Sequence, residues 1–172
     1  VVILDMGIHL EKIIGYDEEI EKLSTNDLIK IGAIPDDKVI EDLRDKVKAI
    51  AITHAHLDHS AAVPYMAKNY KNAMLLGTTY TIEIINRIAE DKKIKLKNDI
   101  KILNVNSSIK ISDNLRIEFI NMTHSTLQTV MIAFHTPKCV VLYANDFKFD
   151  NSPTLGEKPN YKRLKQLGDS RK

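Results

Sequence analysis

The chain has 172 residues, 44% of them hydrophobic and 28% charged, which are ordinary proportions for a globular protein with a single core. Its net charge of +2 neither requires nor excludes a nucleic-acid partner. The single cysteine, Cys139, excludes an intrachain disulfide and favours a reducing compartment, so we expect a cytoplasmic protein. No apolar run approaches the roughly 18 residues of a membrane span, so we expect no membrane partner.

Strands alternate with helices in the first half of the chain, as apolar runs and turn residues indicate. The predicted strands cover residues 1–4, 47–53 and 74–76. The predicted helices cover residues 17–23, 26–31, 60–70 and 79–90. Residues 8–37 show no strand periodicity, and we expect this long segment to lie on the surface.

Consecutive strands dominate the second half of the chain. They are predicted at residues 100–105, 109–111, 115–122, 129–135 and 139–144. The link at 136–138 is short enough for a hairpin, and Cys139 at the start of the last strand is expected to be buried. Helices between the early strands, followed by runs of strands, indicate a mixed α/β architecture with packed sheets.

Three histidines and one aspartate lie within six residues directly after the predicted strand at 47–53. They are His54, His56, Asp58 and His59. Imidazole nitrogens and carboxylate oxygens suit zinc and similar metals. In an extended chain His54 and His56 point to the same side, and the other pair can face a second position in the turn beyond. The spacing predicts one pair of ligands for each of two metals; the alternative is a histidine-rich polar loop on the surface.

Further polar residues follow other predicted strands. Asp5, His124 and Asp146 each lie close to a strand end. A lone residue of this kind is usually a turn residue, but four strand ends with suitable side chains favour a common site held by a rigid core. His135 also ends a strand, beside Thr136, and is interpreted as structural.

The motif His-Ala-His-Leu-Asp-His at 54–59 resembles the signature of hydrolases with the metallo-β-lactamase fold. Asp5, His124 and Asp146 occupy the remaining positions in the order that this superfamily shows. Residues 145–150, Asn-Asp-Phe-Lys-Phe-Asp, resemble the ribonuclease J group of the β-CASP nucleases. The segments 32–37 and 123–125 are similar to archaeal ribonuclease J. The resemblance implies an α/β fold of the αββα sandwich type.

The same resemblance implies a site with two zinc ions. His54, His56 and His124 would bind the first ion, Asp58 and His59 the second, and Asp146 would bridge them, while Asp5 would hold the ligand loop from outside. Two cations about 3.5–4 Å apart can share a hydroxide and stabilise both the attacking and the leaving oxygen of a phosphodiester. Asp58 would also take part in proton transfer. The residues assigned to catalysis are therefore Asp58, for this proton transfer, and Asp146, as the bridge between the two ions.

Two features depart from the family pattern. Ser60 and Ala61 stand where the group commonly has an apolar residue and glycine, and alanine is tolerated there if its φ is negative.

The chain also begins without methionine and ends at Lys172, about where the β-CASP domain is expected to begin in the parent chain. We therefore expect residues 1–172 to be one truncated metallo-β-lactamase domain, without an upstream strand and without a later histidine ligand. The second zinc would then be under-coordinated, and the fragment weakly active or inactive.

The expected function is hydrolysis of RNA phosphodiester bonds, by 5′-to-3′ exonucleolytic or endonucleolytic cleavage. RNA would be the partner, and the parent protein could form a homodimer. Lys162, Arg163 and Lys165 could contact the RNA backbone, although a solvated helix is the simpler explanation of these charges. Two alternatives stay open: a hydrolase of small esters, thioesters or lactones on the same fold, and a non-catalytic RNA-binding homologue.

Overall fold

The computed structural model describes residues 1–15 and 23–170, and its strands form two four-stranded sheets. The first sheet is parallel and contains, in order, β1 (Val2–Leu4), β2 (Ala49–Ala51), β3 (Met74–Gly77) and β4 (Ile100–Ile102). The second is antiparallel and contains β5 (Ser108–Ser112), β6 (Leu115–Asn121), β7 (Val130–His135) and β8 (Val140–Tyr143). Every predicted strand is present, and β7 and β8 form the predicted hairpin, with residues 136–139 as its link, one residue longer than predicted.

The helices of the described ranges are α1 (Leu10–Ile14), α2 (Thr25–Lys30), α3 (Leu57–Ser60), α4 (Val63–Met66), α5 (Thr79–Asp91) and α6 (Tyr161–Asp169), with 3-10 segments at Asp37–Lys46 and Ala67–Asn69. The helices predicted at 26–31 and 79–90 are confirmed as α2 and α5. The helix predicted at 60–70 is interrupted, because Pro64 in the first turn of α4 has no N–H to continue a helix from α3. The helix predicted at 17–23 lies almost entirely outside the described residues. No helix in the described part of the chain is long and apolar enough to cross a membrane.

Apolar side chains pack in three places relative to the two sheets. Phe119 and Ile132 are fully buried in the core between the sheets. Ile50 lies in a second core, which α4 and α5 cover on the outer face of the parallel sheet. Ile120 lies in a third core on the outer face of the antiparallel sheet, where Leu164 of α6 packs against it. The layers are therefore helices, sheet, sheet and helix, as an αββα sandwich requires.

Residues 8–37 do not lie wholly on the surface. Leu28, Ala33 and Ile34 are buried in the core outside the parallel sheet, and Ile8 and Ile13 pack against it. Short helices and turns separate these residues irregularly, so they produce no periodicity that would reveal a buried side. The prediction of a surface segment was therefore wrong.

Cys139 is exposed rather than buried. It precedes β8, and its backbone nitrogen donates to the Thr136 hydroxyl at 3.1 Å within the hairpin turn. The prediction of a buried side chain was wrong because it assigned Cys139 to the strand instead of the turn.

A buried ion pair fastens α6 to the antiparallel sheet. Glu118 on β6 is 7% exposed, and its carboxylate accepts hydrogen bonds from Arg163 Nε at 2.6 Å and Nη2 at 2.8 Å. His135 Nε2 on β7 lies 2.6 Å from the same carboxylate, which fits its structural interpretation. Burial alone would raise the pKa of Glu118, but the hydrogen bonds from Arg163 and His135 outweigh burial and lower this pKa.

We expect Arg163→Ala to lower the free energy of unfolding by about 3 kcal/mol, because the Glu118 carboxylate stays buried without its main partner. Since the pKa of Glu118 is lowered by folding, its contribution is present above its ordinary value of 4.5 and is lost as the pH falls through the folded value. Urea unfolding at neutral and at acidic pH measures both effects. Lys165→Ala is the control, because it removes only an exposed pair with Asp169 and should leave the unfolding midpoint nearly unchanged. Equal effects of the two substitutions would contradict the prediction.

Candidate metal centre

All the predicted ligands lie at one end of the sandwich. Because β1 and β2 are parallel, Asp5 after β1 and the loop 53–59 after β2 leave the first sheet at the same edge. β6 and β8 both run antiparallel to β7, so His124 and Asp146 follow strands that end on the same side of the second sheet. The two sheets are linked there by a hydrogen bond of 3.2 Å from the Tyr143 hydroxyl to Asp5 Oδ2. The topology thus gathers side chains from four strand ends.

His54, His56 and His124 form the first group that could hold a metal ion. His56 Nδ1 lies 3.1 Å from both His54 Nε2 and His124 Nε2. Zinc–nitrogen bonds of roughly 2.0–2.1 Å at tetrahedral angles separate two ligand nitrogens by about 3.3 Å. Both of these distances are close to that spacing, all three nitrogens lie within 4.8 Å of one another, and their chemistry fits zinc.

His54, His59 and Asp146 form a second group of this kind. His59 Nε2 lies 3.7 Å from Asp146 Oδ2 and 3.8 Å from Asp58 Oδ2. The same Asp146 oxygen lies 3.9 Å from His124 Nε2, so Asp146 stands between the two groups. The side chains of Asp58 and Asp146 are 51% and 55% exposed, which leaves this side of the site open to solvent.

Asp5 holds the ligand loop from behind. Its φ is +54°, which is unusual for a residue other than glycine. One carboxylate oxygen accepts from the Thr53 amide at 2.8 Å, and the other lies 2.9 Å from His59 Nδ1. A carboxylate at Nδ1 keeps the proton on that nitrogen and turns the Nε2 lone pair of His59 toward the site. These contacts fit the supporting role predicted for Asp5.

The protonation of the histidines suits metal binding at neutral pH. Burial, reinforced by His59 and His56, lowers the pKa of His54 to about 4. Burial also lowers the pKa of His124. Both rings are therefore neutral at pH 7 and have a lone pair to offer. The hydrogen bond to Asp5 raises the pKa of His59, so a cation at Nε2 competes with a proton there.

The two departures from the family motif lie at the end of α3, Ser60 as its last residue and Ala61 directly after it. Ser60 is buried, and its hydroxyl donates to the backbone oxygen of His56 at 2.9 Å. Ala61 has a φ of −76°, which any residue adopts without strain. The negative φ on which tolerance of alanine depends is therefore present, and Ser60 adds a hydrogen bond within the ligand loop.

Sequence reasoning missed the polar residues that contact the ligands. Thr53 and Asn145 lie 3.0 Å and 3.1 Å from His54 Nδ1. Ser125 lies 3.3 Å from His56 Nε2. Each of these residues adjoins a predicted ligand along the chain. That adjacency was the available signal, but it does not show which residue next to a ligand points its side chain at the metal site.

The basic residues predicted to contact RNA lie on α6, on the outer face of the antiparallel sheet. Lys162 and Lys165 are exposed. The Arg163 guanidinium is paired with Glu118, and its charge is already balanced. An RNA contact through α6 stays a prediction; Lys162 is exposed, and Lys165 has only an exposed pair with Asp169 to give up.

Comparison with known proteins defines the class to which the site belongs. A model of the metallo-beta-lactamase superfamily matches residues 1–170, and the chain belongs to this superfamily. Within it, the chain is 44% identical to Ribonuclease J from Methanocaldococcus jannaschii and 44% identical to Ribonuclease J from Pyrococcus abyssi. Each match covers 98% of this chain but only 38% and 37% of the respective relative. A solved protein of unknown function from Enterococcus faecalis V583, 19% identical, shares the fold with a TM-score of 0.62 over 86% of this chain and 38% of that chain.

Proposed function

We propose that the protein is a zinc-dependent ribonuclease that hydrolyses phosphodiester bonds of RNA. The observation that carries the proposal is the convergence of three imidazole nitrogens: His54 Nε2 and His124 Nε2 each lie 3.1 Å from His56 Nδ1. Similarity to Ribonuclease J over 98% of the chain supports RNA as the substrate class. A cytoplasmic location goes with that substrate.

Each side chain of the site has a part in this proposal. His54, His56 and His124 would hold the first zinc ion, Asp58 and His59 the second, and Asp146 both. When bound, the cations would acidify a water molecule and offset the negative charge of the phosphodiester. Asp5 keeps the His59 ring oriented through its contact of 2.9 Å with Nδ1. Asp58 is half exposed beside His59, and its carboxylate can take a proton from the attacking water or return one to the leaving oxygen.

We also propose that the chain is part of a longer nuclease. The relatives that it matches are more than twice as long, since the chain covers 38% and 37% of them. In the parent protein a β-CASP domain would come after residue 172, and a further histidine would complete the second zinc site. The side chains of Asp58 and Asp146 are 51% and 55% exposed, which leaves room beside them for a further ligand.

Removal of metal tests the proposed function directly. Full-length protein treated with a chelator should stop cleaving 5′-labelled RNA, and added zinc should restore the rate, because the ligand set holds the ion that activates water. A thioester is the comparison substrate: its cleavage without RNA cleavage would favour a small-molecule hydrolase. Zinc-loaded protein that binds RNA without cleaving it would favour a non-catalytic homologue. RNA cleavage that persists when elemental analysis finds no metal would contradict the proposal.

A further inference from the structure

The Nδ1 nitrogen of His54 faces two polar side chains. Thr53 Oγ1 lies 3.0 Å from it, and Asn145 Nδ2 lies 3.1 Å from it. An imidazole nitrogen either carries a proton and donates, or presents a lone pair and accepts. The state of Nδ1 matters because His54 Nε2, the other ring nitrogen, is the one that faces His56 and the candidate metal site.

Thr53 decides which nitrogen of His54 carries the proton. The Thr53 hydroxyl lies 2.9 Å from both oxygens of Asp5, and an ionised carboxylate only accepts hydrogen bonds. Because a hydroxyl has one proton and Asp5 takes it, Thr53 can only accept from His54. His54 Nδ1 is therefore protonated, and Nε2 keeps its lone pair.

The amide of Asn145 must then present its oxygen, not its nitrogen, to the ring. With Nδ2 facing a protonated Nδ1, two donors oppose each other, while Oδ1 is buried without a hydrogen-bond partner in the part of the chain that the structure describes. Rotating the amide exchanges the two atoms with little change of shape. We propose that Asn145 is a positioning residue whose oxygen accepts the Nδ1 proton of His54 and so keeps the Nε2 lone pair directed at the metal. This inference rests on the proposed zinc site.

The same bond joins two residues that follow strands of different sheets. His54 follows β2 in the parallel sheet, whereas Asn145 follows β8 in the antiparallel sheet and directly precedes Asp146. Holding Asn145 against His54 therefore fixes the loop that carries Asp146. Partners of this kind on a ligand histidine typically change metal affinity by about 10- to 100-fold. We expect Asn145 to act through zinc affinity and through the placement of Asp146.

Zinc affinity measured on full-length protein, by competition with a chelating dye, tests the role of Asn145. Asn145→Leu keeps the approximate size but removes the acceptor, and it should weaken zinc binding about 10-fold, the low end of the usual range, because Thr53 is retained. Asn145→Asp keeps an acceptor and should bind zinc at least as tightly as the native protein. Asn151→Leu, at an exposed position of the same loop, is the control and should leave the affinity unchanged.

Nitrogen chemical shifts of the histidine rings, measured on zinc-free protein, give a readout that a merely structural role would not move. We expect His54 to be protonated at Nδ1. Protonation at Nε2 would overturn the inference, as would an Asp variant that binds zinc as weakly as the Leu variant, or a Leu variant that binds as tightly as the native protein. If the native protein takes up no zinc, the proposed zinc site is wrong, and the ring shifts still decide how Asn145 is oriented.

Discussion

Replacement of both His54 and His56 by alanine should lower the rate of RNA hydrolysis by well over 100-fold. Loss of a residue that only hydrogen-bonds a metal ligand lowers activity by up to roughly 100-fold, and loss of two ligands should cost more. The two side chains supply two of the three imidazole nitrogens of the first group, and His54 also belongs to the second group. His124 and Asp146 alone do not fix an ion between them. Initial rates on 5′-labelled RNA, measured for full-length protein in excess zinc, give the size of the loss.

His9→Ala is the matched control for this experiment. His9 is exposed, precedes α1 and makes no side-chain capping bond there, so its removal should leave the rate unchanged. Circular dichroism and the unfolding midpoint, both measured without zinc, separate a loss of chemistry from a loss of fold. Native rates in the double variant would mean that His54 and His56 are not catalytic ligands.

Gly7 is the second position where a small change should have a large effect. A Cβ atom there would overlap the backbone carbonyl of Asp58. The two segments approach this closely because the Met6 amide donates to the His59 carbonyl at 2.7 Å. The obstacle is backbone, not the end of a flexible side chain, so the ligand loop itself must move.

Gly7→Ala should therefore lower the free energy of unfolding by about 3 kcal/mol, the upper end of the usual cost of overpacking. It should also weaken zinc binding by displacing Asp58 and His59. Gly168→Ala is the control, because beyond its own helix backbone and its chain neighbours no described heavy atom lies within 4 Å of the added Cβ, and alanine should stabilise α6 by up to about 1 kcal/mol. Urea unfolding and zinc content are measured for both variants. A Gly7→Ala protein with native stability and native zinc content would show that the two loops can separate freely.

The ligand motif could be predicted because its residues are adjacent in sequence and chemically distinctive. The family resemblance read from residues 54–59 and 145–150 is confirmed by the superfamily match and by 44% identity to Ribonuclease J. The alternation of strands and helices was also sufficient for the mixed α/β class, which is confirmed. Zinc binding by the ligand residues of this motif, His54, His56, Asp58 and His59, stays a prediction.

The contacts that support the ligands could not be predicted, because they depend on which strand ends meet across two sheets. Tyr143 and Asp5 are 138 residues apart, and Asn145 and His54 are 91 apart. No spacing rule links such distant positions. The burial of Leu28 could not be predicted for a different reason. Its short helix buries only this one residue, so no periodic pattern of apolar residues marks the buried side.

A zinc ion held by His54 from one sheet and His124 from the other would cross-link the two halves of the sandwich. An ion that binds only the folded arrangement stabilises it, by about 2.7 kcal/mol at a hundredfold excess over its dissociation constant. Molecules that unfold more often are removed faster by cellular proteases. Zinc supply would then govern the abundance of the protein as well as its chemistry, and a cell short of zinc would lose both together.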